Sequence, residues 1–207
     1  MGKMIQKLFT QADVKTISEE TCYSGFLKIK RFNIQCRLYQ GGWSEPFTRE
    51  LMQRTPGVGL LLYDPKLDKL LMVEQFRVGC MLDQQNGPWA LELIAGLVEE
   101  GETSQDVAKR EAQEEAGITL KELIPICEYY NSPGGSSEKL SIFCALIDLS
   151  DIEEGVFGLE SESENIRSII IDRARAEEAV RNGEINNAMS IIAIQWLELN
   201  LKKLKTM

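Results

Sequence analysis

The sequence predicts an α/β fold built on a mixed or largely antiparallel sheet. Three observations carry that expectation. Strand-like runs dominate the first half of the chain. One capped stretch of helical period, Ser104 to Ala116, interrupts them. Two further helical segments follow a last strand, the order expected when helices cover a sheet. With 207 residues there is room for one large domain, or for a domain with a small appendage.

In chain order, the first twenty or so residues carry little pattern and read as a loose arm or an edge strand. "YSGFLKIKRFNIQCRLY", Tyr23 to Tyr39, alternates apolar and polar residues in a strand-like way, and "GGWSE" is a turn before the strand "PFTRELMQRT". Residues 1–55 are therefore expected to form an N-terminal antiparallel β segment, and 56–207 the main domain. "GVGLLLYD" and "KLLMVEQFRV" flank the turn "DPKLDK" and predict a hairpin. "PWALELIAG" reads as one strand leading into the acidic stretch. "LIPICEYYNS" and "KLSIFCALIDL" read as strands around the turn "SPGGSSE". "EEGVFGLESESEN" is an acidic loop and "IRSIIID" a buried strand. Helices over 173–182, with Asp172 as N-cap and Gly183 as stop, and over roughly 187–204 complete the chain.

Composition excludes several classes of function. The net charge of −9 argues against a nucleic-acid partner, which calls for a basic surface. The five scattered cysteines include no C-x-x-C pair and read as reduced thiols of a cytoplasmic protein. "MGKMIQKLFTQAD" shows no signal-peptide core, and no apolar run approaches the ~20 residues that span a bilayer, so no membrane partner is expected. There is no histidine. That removes Ser-His-Asp and Cys-His dyads and H-E-x-x-H zinc sites, and leaves carboxylates, Lys, Tyr, Cys or metal-bound hydroxide as bases.

The informative stretch is "GLVEEGETSQDVAKREAQEEAGI", Gly96 to Ile118. Thr103 with Asp106 forms a capping-box variant, and Gly117 suits the left-handed position that ends a helix. Ala108, Ala112 and Ala116 repeat every fourth residue as a small strip suited to close contact with a sheet. Glu111, Glu114 and Glu115 border that strip within an arc of about 100°. Like charges at this spacing repel. Either they form a solvated acidic face, or a cation belongs among them; hard divalent ions such as Mg²⁺ take oxygen ligands of this kind.

Gly96, Glu102, Arg110, Glu111, Glu114, Glu115 and Gly117, with Ala112 and Ile118 in the apolar slots, resemble an intact Nudix box. The resemblance implies a Nudix-type α/β/α sandwich with a mixed sheet and Mg²⁺-dependent hydrolysis of a nucleoside diphosphate linked to a second group, with Mn²⁺ as a substitute. Pro133, fifteen residues beyond Ile118, and segments including "VEQFRV" and "GLESESENIR" resemble the ADP-ribose pyrophosphatase subgroup. That likeness implies as metal ligands Glu111, Glu115, Glu164 and the backbone carbonyl of Ala95, and Glu162 as catalytic base. It implies substrate contacts at Phe26, Leu27, Arg49, Glu50, Arg54, Arg77, Leu97, Ser132, Pro133, Gly134 and Glu138. It further implies a homodimer with exchanged N-terminal segments. Arg110 is expected to orient ligands by pairing with Glu102 or a neighbouring glutamate. Two rival readings stand beside this one: a pyrophosphatase for another nucleotide sugar, such as GDP-mannose, and a non-catalytic Nudix-type nucleotide sensor.

Overall fold

The computed structural model describes residues 5–206. The chain divides into two compact units, each with its own sheet: Met1–Arg54 with Ser132–Glu138, and Thr55–Asn131 with Lys139–Met207.

The smaller unit is a three-stranded antiparallel sheet of β1 (Val14–Ser24), β2 (Lys28–Cys36) and β3 (Phe47–Gln53) in that order. The strand-like run from Tyr23 to Tyr39 is thus divided between β1 and β2. Ser24 pairs with Lys28, so the chain reverses at 25–27, and β1 claims the residues that carried little pattern. Gly25 makes the reversal: a Cβ there would stand 2.4 Å from the Tyr23 hydroxyl. β1 is exposed along its whole length, so its sequence had no need to alternate. Residues 132–138 join this unit through Met52 N–H donating to the Gly135 carbonyl (2.8 Å) and Ser137 N–H to the Met52 carbonyl (3.0 Å).

The larger unit has an eight-stranded mixed sheet. Its strands are β4 (Gly57–Asp64), β5 (Lys69–Phe76), β6 (Trp89–Glu92), β7 (Ile94–Leu97), β8 (Ile124–Tyr130), β9 (Lys139–Leu146), β10 (Val156–Phe157) and β11 (Ile166–Asp172). The order is β10-β11-β5-β4-β9-β8, and only β4 and β9 run parallel. The helix α1 (Ser104–Ala116) covers one face, burying Val107, Ala108, Ala112 and Ala116 against Val58, Leu60, Leu62, Leu71 and Val73. Helices α2 (Arg173–Asn182) and α3 (Ala188–Leu204) share the core of the other face with Leu61, Tyr63, Leu70 and Met72. The result is three layers, α/β/α. Among the described residues no helix is long and apolar enough to cross a membrane.

One irregularity positions the site. β4 and β5 pair only at one end, through Leu62–Leu71, Tyr63–Leu70 and Asp64–Lys69. Beyond that they fork. β7 pairs with β4 and β6 with β5, so the segment expected as one strand is two, parted at Leu93. Leu93 is fully buried on the α3 side, and its N–H donates to the fully buried Ser190 Oγ of α3 (3.1 Å). α3 packs so closely here that a Cβ on Gly59 would lie 2.2 Å from the Met189 sulfur. At the other helix starts, Asn187 caps α3 by accepting from Ser190 N–H (3.0 Å). Asp172 stands at the N-cap position of α2, as expected, without a side-chain capping hydrogen bond. Gly183 ends α2 at φ 83°, a left-handed conformation that glycine adopts without strain.

Ser190→Ala removes the acceptor of a buried N–H at the fork, which costs about 1–3 kcal/mol. Thermal unfolding of the variant is expected several degrees below wild type. An unchanged melting temperature would show that the corner does not depend on this bond.

Candidate active site

α1 is held at both ends as its sequence dictates. Asp106 N–H donates to Thr103 Oγ1 (3.2 Å), Thr103 N–H donates to Asp106 Oδ2 (3.1 Å), and Gly117 takes φ 67°. The alanine strip lets the helix lie close to the sheet, and that closeness carries Glu111 and Glu115 inward with it. Glu115 is 1% exposed. Its Oε2 accepts from Ala95 N–H of β7 (3.2 Å). Glu111 lies against Gly96, where a Cβ would stand 1.7 Å from its Oε1. Gly96 is therefore required by the carboxylate above it, not by its own backbone angles.

Arg110 holds the acidic residues in place. Its Nε and Nη2 donate to the two oxygens of Glu102 (3.0 and 3.3 Å), and Nη1 donates to Glu111 Oε1 (2.8 Å) and Glu114 Oε2 (2.9 Å). Nη2 also reaches the Leu97 carbonyl at 3.4 Å. The Glu102 carboxylate beside it raises the guanidinium pKa further. This one cation does not offset the whole cluster. Burial pushes the Glu111 carboxyl up to about 7, with Arg110 opposing and Glu114 and Glu164 adding to the rise. Burial, then Glu111, pushes Glu115 up to about 8. Two carboxyls whose charged forms are disfavoured, set among oxygen donors only, suit a hard divalent cation. Among the described residues no three Asp, Glu or Cys side chains already converge as a finished cage, so the ligands would have to gather around an ion.

The other expected residues of this unit sort as follows. Glu164, just before β11, is half-buried, accepts from Leu159 N–H (3.1 Å), and adds its field at Glu111 and Glu115. Glu162 is exposed at the end of a short 3-10 turn, Glu160–Glu162, followed by Ser163 at φ 58°. Arg77 follows β5 and donates through Nε to Glu92 Oε2 (2.7 Å). Leu97 ends β7 and is 38% exposed. Glu92, only 8% exposed, is the acceptor that fixes Arg77 and was not singled out in the sequence. Its signal was a charged residue inside an otherwise apolar strand, "WALE".

In the smaller unit, Phe26 is exposed in the β1–β2 turn next to Leu27, and the Arg54 guanidinium sits over its ring (5.4 Å to the centroid). Arg54 Nε in turn donates to Glu138 Oε1 (3.3 Å). Ring, guanidinium and carboxylate thus come together from three distant stretches of sequence. Arg49 stacks over Phe47 (4.7 Å) and Glu50 pairs with Arg31 (3.2 Å). Ser132, Pro133 and Gly134 form a turn in which Ser132 O accepts from Gly135 and Ser136 N–H (3.1 and 2.8 Å).

The raised carboxyls set a pH dependence. Both bind protons more tightly in the folded state, so the metal-free protein has their full stabilisation below about pH 4.5 and loses it as pH rises through about 7 and 8. The melting temperature of EDTA-treated protein is expected to fall by about 5 °C or more between about pH 5 and about pH 9. Glu115→Gln should flatten that fall and melt above wild type at the alkaline end. A wild-type profile that rises with pH would contradict the burial of these groups.

Residues 53–189 match the NUDIX domain family model. The chain is 39% identical to the ADP-ribose pyrophosphatase of Haemophilus influenzae, over 95% of this chain and 91% of that protein. It is 33% identical to the GDP-mannose pyrophosphatase of Salmonella paratyphi B, over 72% of this chain and 77% of that protein. A solved structure, described as that of an ADP compounds hydrolase, superposes with a TM-score of 0.70 over 98% of both chains at 20% identity, a likeness of fold. The chain belongs to the Nudix hydrolase family, whose members depend in general on a divalent metal ion.

Proposed function

We propose that this protein hydrolyses ADP-ribose to AMP and ribose 5-phosphate, with Mg²⁺ as its ion. The observation that carries the substrate is coverage. Likeness to an ADP-ribose pyrophosphatase runs over 95% of the chain, whereas likeness to a GDP-mannose pyrophosphatase runs over 72%. The intact box, with its carboxylates buried and its arginine engaged, speaks for catalysis over a nucleotide sensor. The proposal carries with it a homodimer with exchanged N-terminal segments, acting in the cytoplasm.

Glu111, Glu115, Glu164 and the Ala95 carbonyl would hold the ion, which when bound supplies Lewis acidity toward phosphoryl oxygens and water. Arg110 keeps Glu111 oriented from behind. Phe26, Leu27 and Arg54 offer the adenine a flat apolar and cationic surface, with Arg49 and Glu50 beside them on β3. By the same likeness Arg77 and Leu97 of the larger unit are assigned to the substrate, the guanidinium of Arg77 suiting a phosphate; in the smaller unit the backbone of the Ser132, Pro133 and Gly134 turn suits a ribose, with Glu138 a further contact. Water adds to one phosphorus, the bridging P–O bond breaks, and Glu162 takes the proton as its loop closes.

In a panel of nucleoside diphosphate compounds with Mg²⁺, ADP-ribose should give the highest kcat/KM and yield AMP. A preference for GDP-mannose would overturn the substrate and leave the family standing. EDTA should abolish turnover, and Mg²⁺ or Mn²⁺ restore it.

The loop glutamates separate by role. Glu162→Gln should lower kcat by roughly 10²–10⁴-fold with metal binding intact, and recover partly at higher pH. Glu164→Gln should instead raise the Mg²⁺ concentration needed for half-maximal rate, and Glu160→Gln should be nearly silent. An essential Glu160 beside a dispensable Glu162 would move the base by two residues.

A further inference from the structure

β5 places residues alternately on the two faces of the larger sheet. Leu71 and Val73 lie in the core under α1, and Leu70 and Met72 in the core under α2 and α3. By that alternation Gln75 lies on the α1 face, two residues beyond Val73 and two before Arg77. Val73 pairs with Glu92, the acceptor of Arg77, so Gln75 stands on the strand between the two members of that ion pair. On the other side, Glu74 pairs with Arg167, three residues after Glu164.

Gln75 is only 6% exposed, and its amide nitrogen is buried with no hydrogen-bond partner. A primary amide on a face otherwise built of Leu, Val and Ala is costly there, because a buried N–H without an acceptor forfeits its hydration. If a side-chain carboxylate of the folded chain were its partner, the bond would already be made. Arg77, by contrast, is ion-paired and its side chain is 41% exposed. Its Nε is engaged by Glu92, while its two terminal nitrogens make no hydrogen bond within the described residues. Gln75 on the strand and Arg77 just beyond its end thus place a neutral and a charged N–H donor near one another: the Gln75 amide has no acceptor among the described residues, and Arg77 is held through Nε by Glu92 with its side chain partly open to solvent.

We propose that Gln75 is a substrate-binding residue whose amide N–H donates to a non-bridging phosphoryl oxygen of the bound diphosphate, alongside Arg77. The inference rests on the reading of this site as a diphosphate site and adds a neutral donor to it. Phosphoryl oxygens are the acceptors such a ligand brings in number. A buried neutral donor discriminates against a ligand that lacks an acceptor at that point without adding charge to the floor of the site.

The test is Gln75→Leu, which keeps the bulk of the side chain and fits an apolar face. Three quantities are read: melting temperature without ligand, kcat and KM on whichever diphosphate of the panel wild type turns over best, and calorimetric affinity for a methylene-bridged, non-hydrolysable ADP-ribose analogue with Mg²⁺. The melting temperature should hold or rise, since an unanswered amide has been removed. Affinity for the analogue and kcat/KM should both fall about 10- to 100-fold. Gln75→Glu, similar in shape but without the donor and with a repelling charge, should fall further. A Gln75→Leu protein of unchanged affinity and kcat/KM would overturn the proposal, as would a loss of activity matched by a fall in melting temperature. A wild-type preference for a different nucleotide sugar would overturn only the ADP-ribose assignment, because phosphoryl oxygens are common to the panel. If wild type neither binds the analogue nor turns over any diphosphate, both readings fall together, yet a raised melting temperature in Gln75→Leu would still mark the amide as unpaid burial.

Discussion

Buried negative charge is the constraint around which the larger unit is built. Ala108, Ala112 and Ala116 draw α1 down onto the sheet, and no arrangement of that helix buries the strip while leaving Glu115 in water. The helix therefore stabilises the core and strains the site with the same contact. Gly96 leaves room for Glu111, Ala95 offers its N–H to Glu115, and Arg110 spreads one guanidinium over three carboxylates. These measures fix positions without neutralising the charge, and burial above all pushes the two carboxyls up to about 7 and about 8. A site of that kind is preorganised for a cation and unstable toward deprotonation without one.

The fork between β4 and β5 supplies the rest. A sheet of continuous ladders would have presented α1 with an unbroken apolar floor. Parting the strands, and filling the gap with β6 and β7, brings strand ends and backbone groups to the same face as the acidic helix. Glu92, Gln75 and Arg77 all lie at this opening, and Ser190 on the opposite helix layer secures its corner. Core and site are thus two ends of one structural device.

Legibility in the sequence followed how local each determinant was. α1 was readable to its ends because the capping box, the alanine strip and Gly117 lie within a single helix. The hairpin of β4 and β5 and the strand β11 were readable from apolar runs bounded by turns. The division of "PWALELIAG" was not, because its halves differ only in which distant strand each pairs with. β1 could be read only as a loose arm or an edge strand, because an exposed strand on the edge of a small sheet has no buried face to impose alternation. The Nudix box marked the carboxylates, but not the reason for Gly96, which lies in a helix folding back over it. Phe26, Arg54 and Glu138 meet through a sheet register that no single stretch encodes. Glu92 and Gln75 each lay near the polar end of an apolar strand, a signal too slight to separate from a strand end.

The most direct measurement is calorimetric titration of the metal-free protein with Mg²⁺ near pH 7, repeated in buffers of different ionisation enthalpy so that protons released can be counted. If burial raises Glu111 to about 7 and Glu115 to about 8, both hold protons in part near pH 7, and binding must release them, on the order of one per site. The release should shrink as pH is raised beyond about 8 and should diminish in Glu115→Gln. Binding with no proton release near neutral pH would contradict the account, since the carboxylates would then already be charged in the empty site.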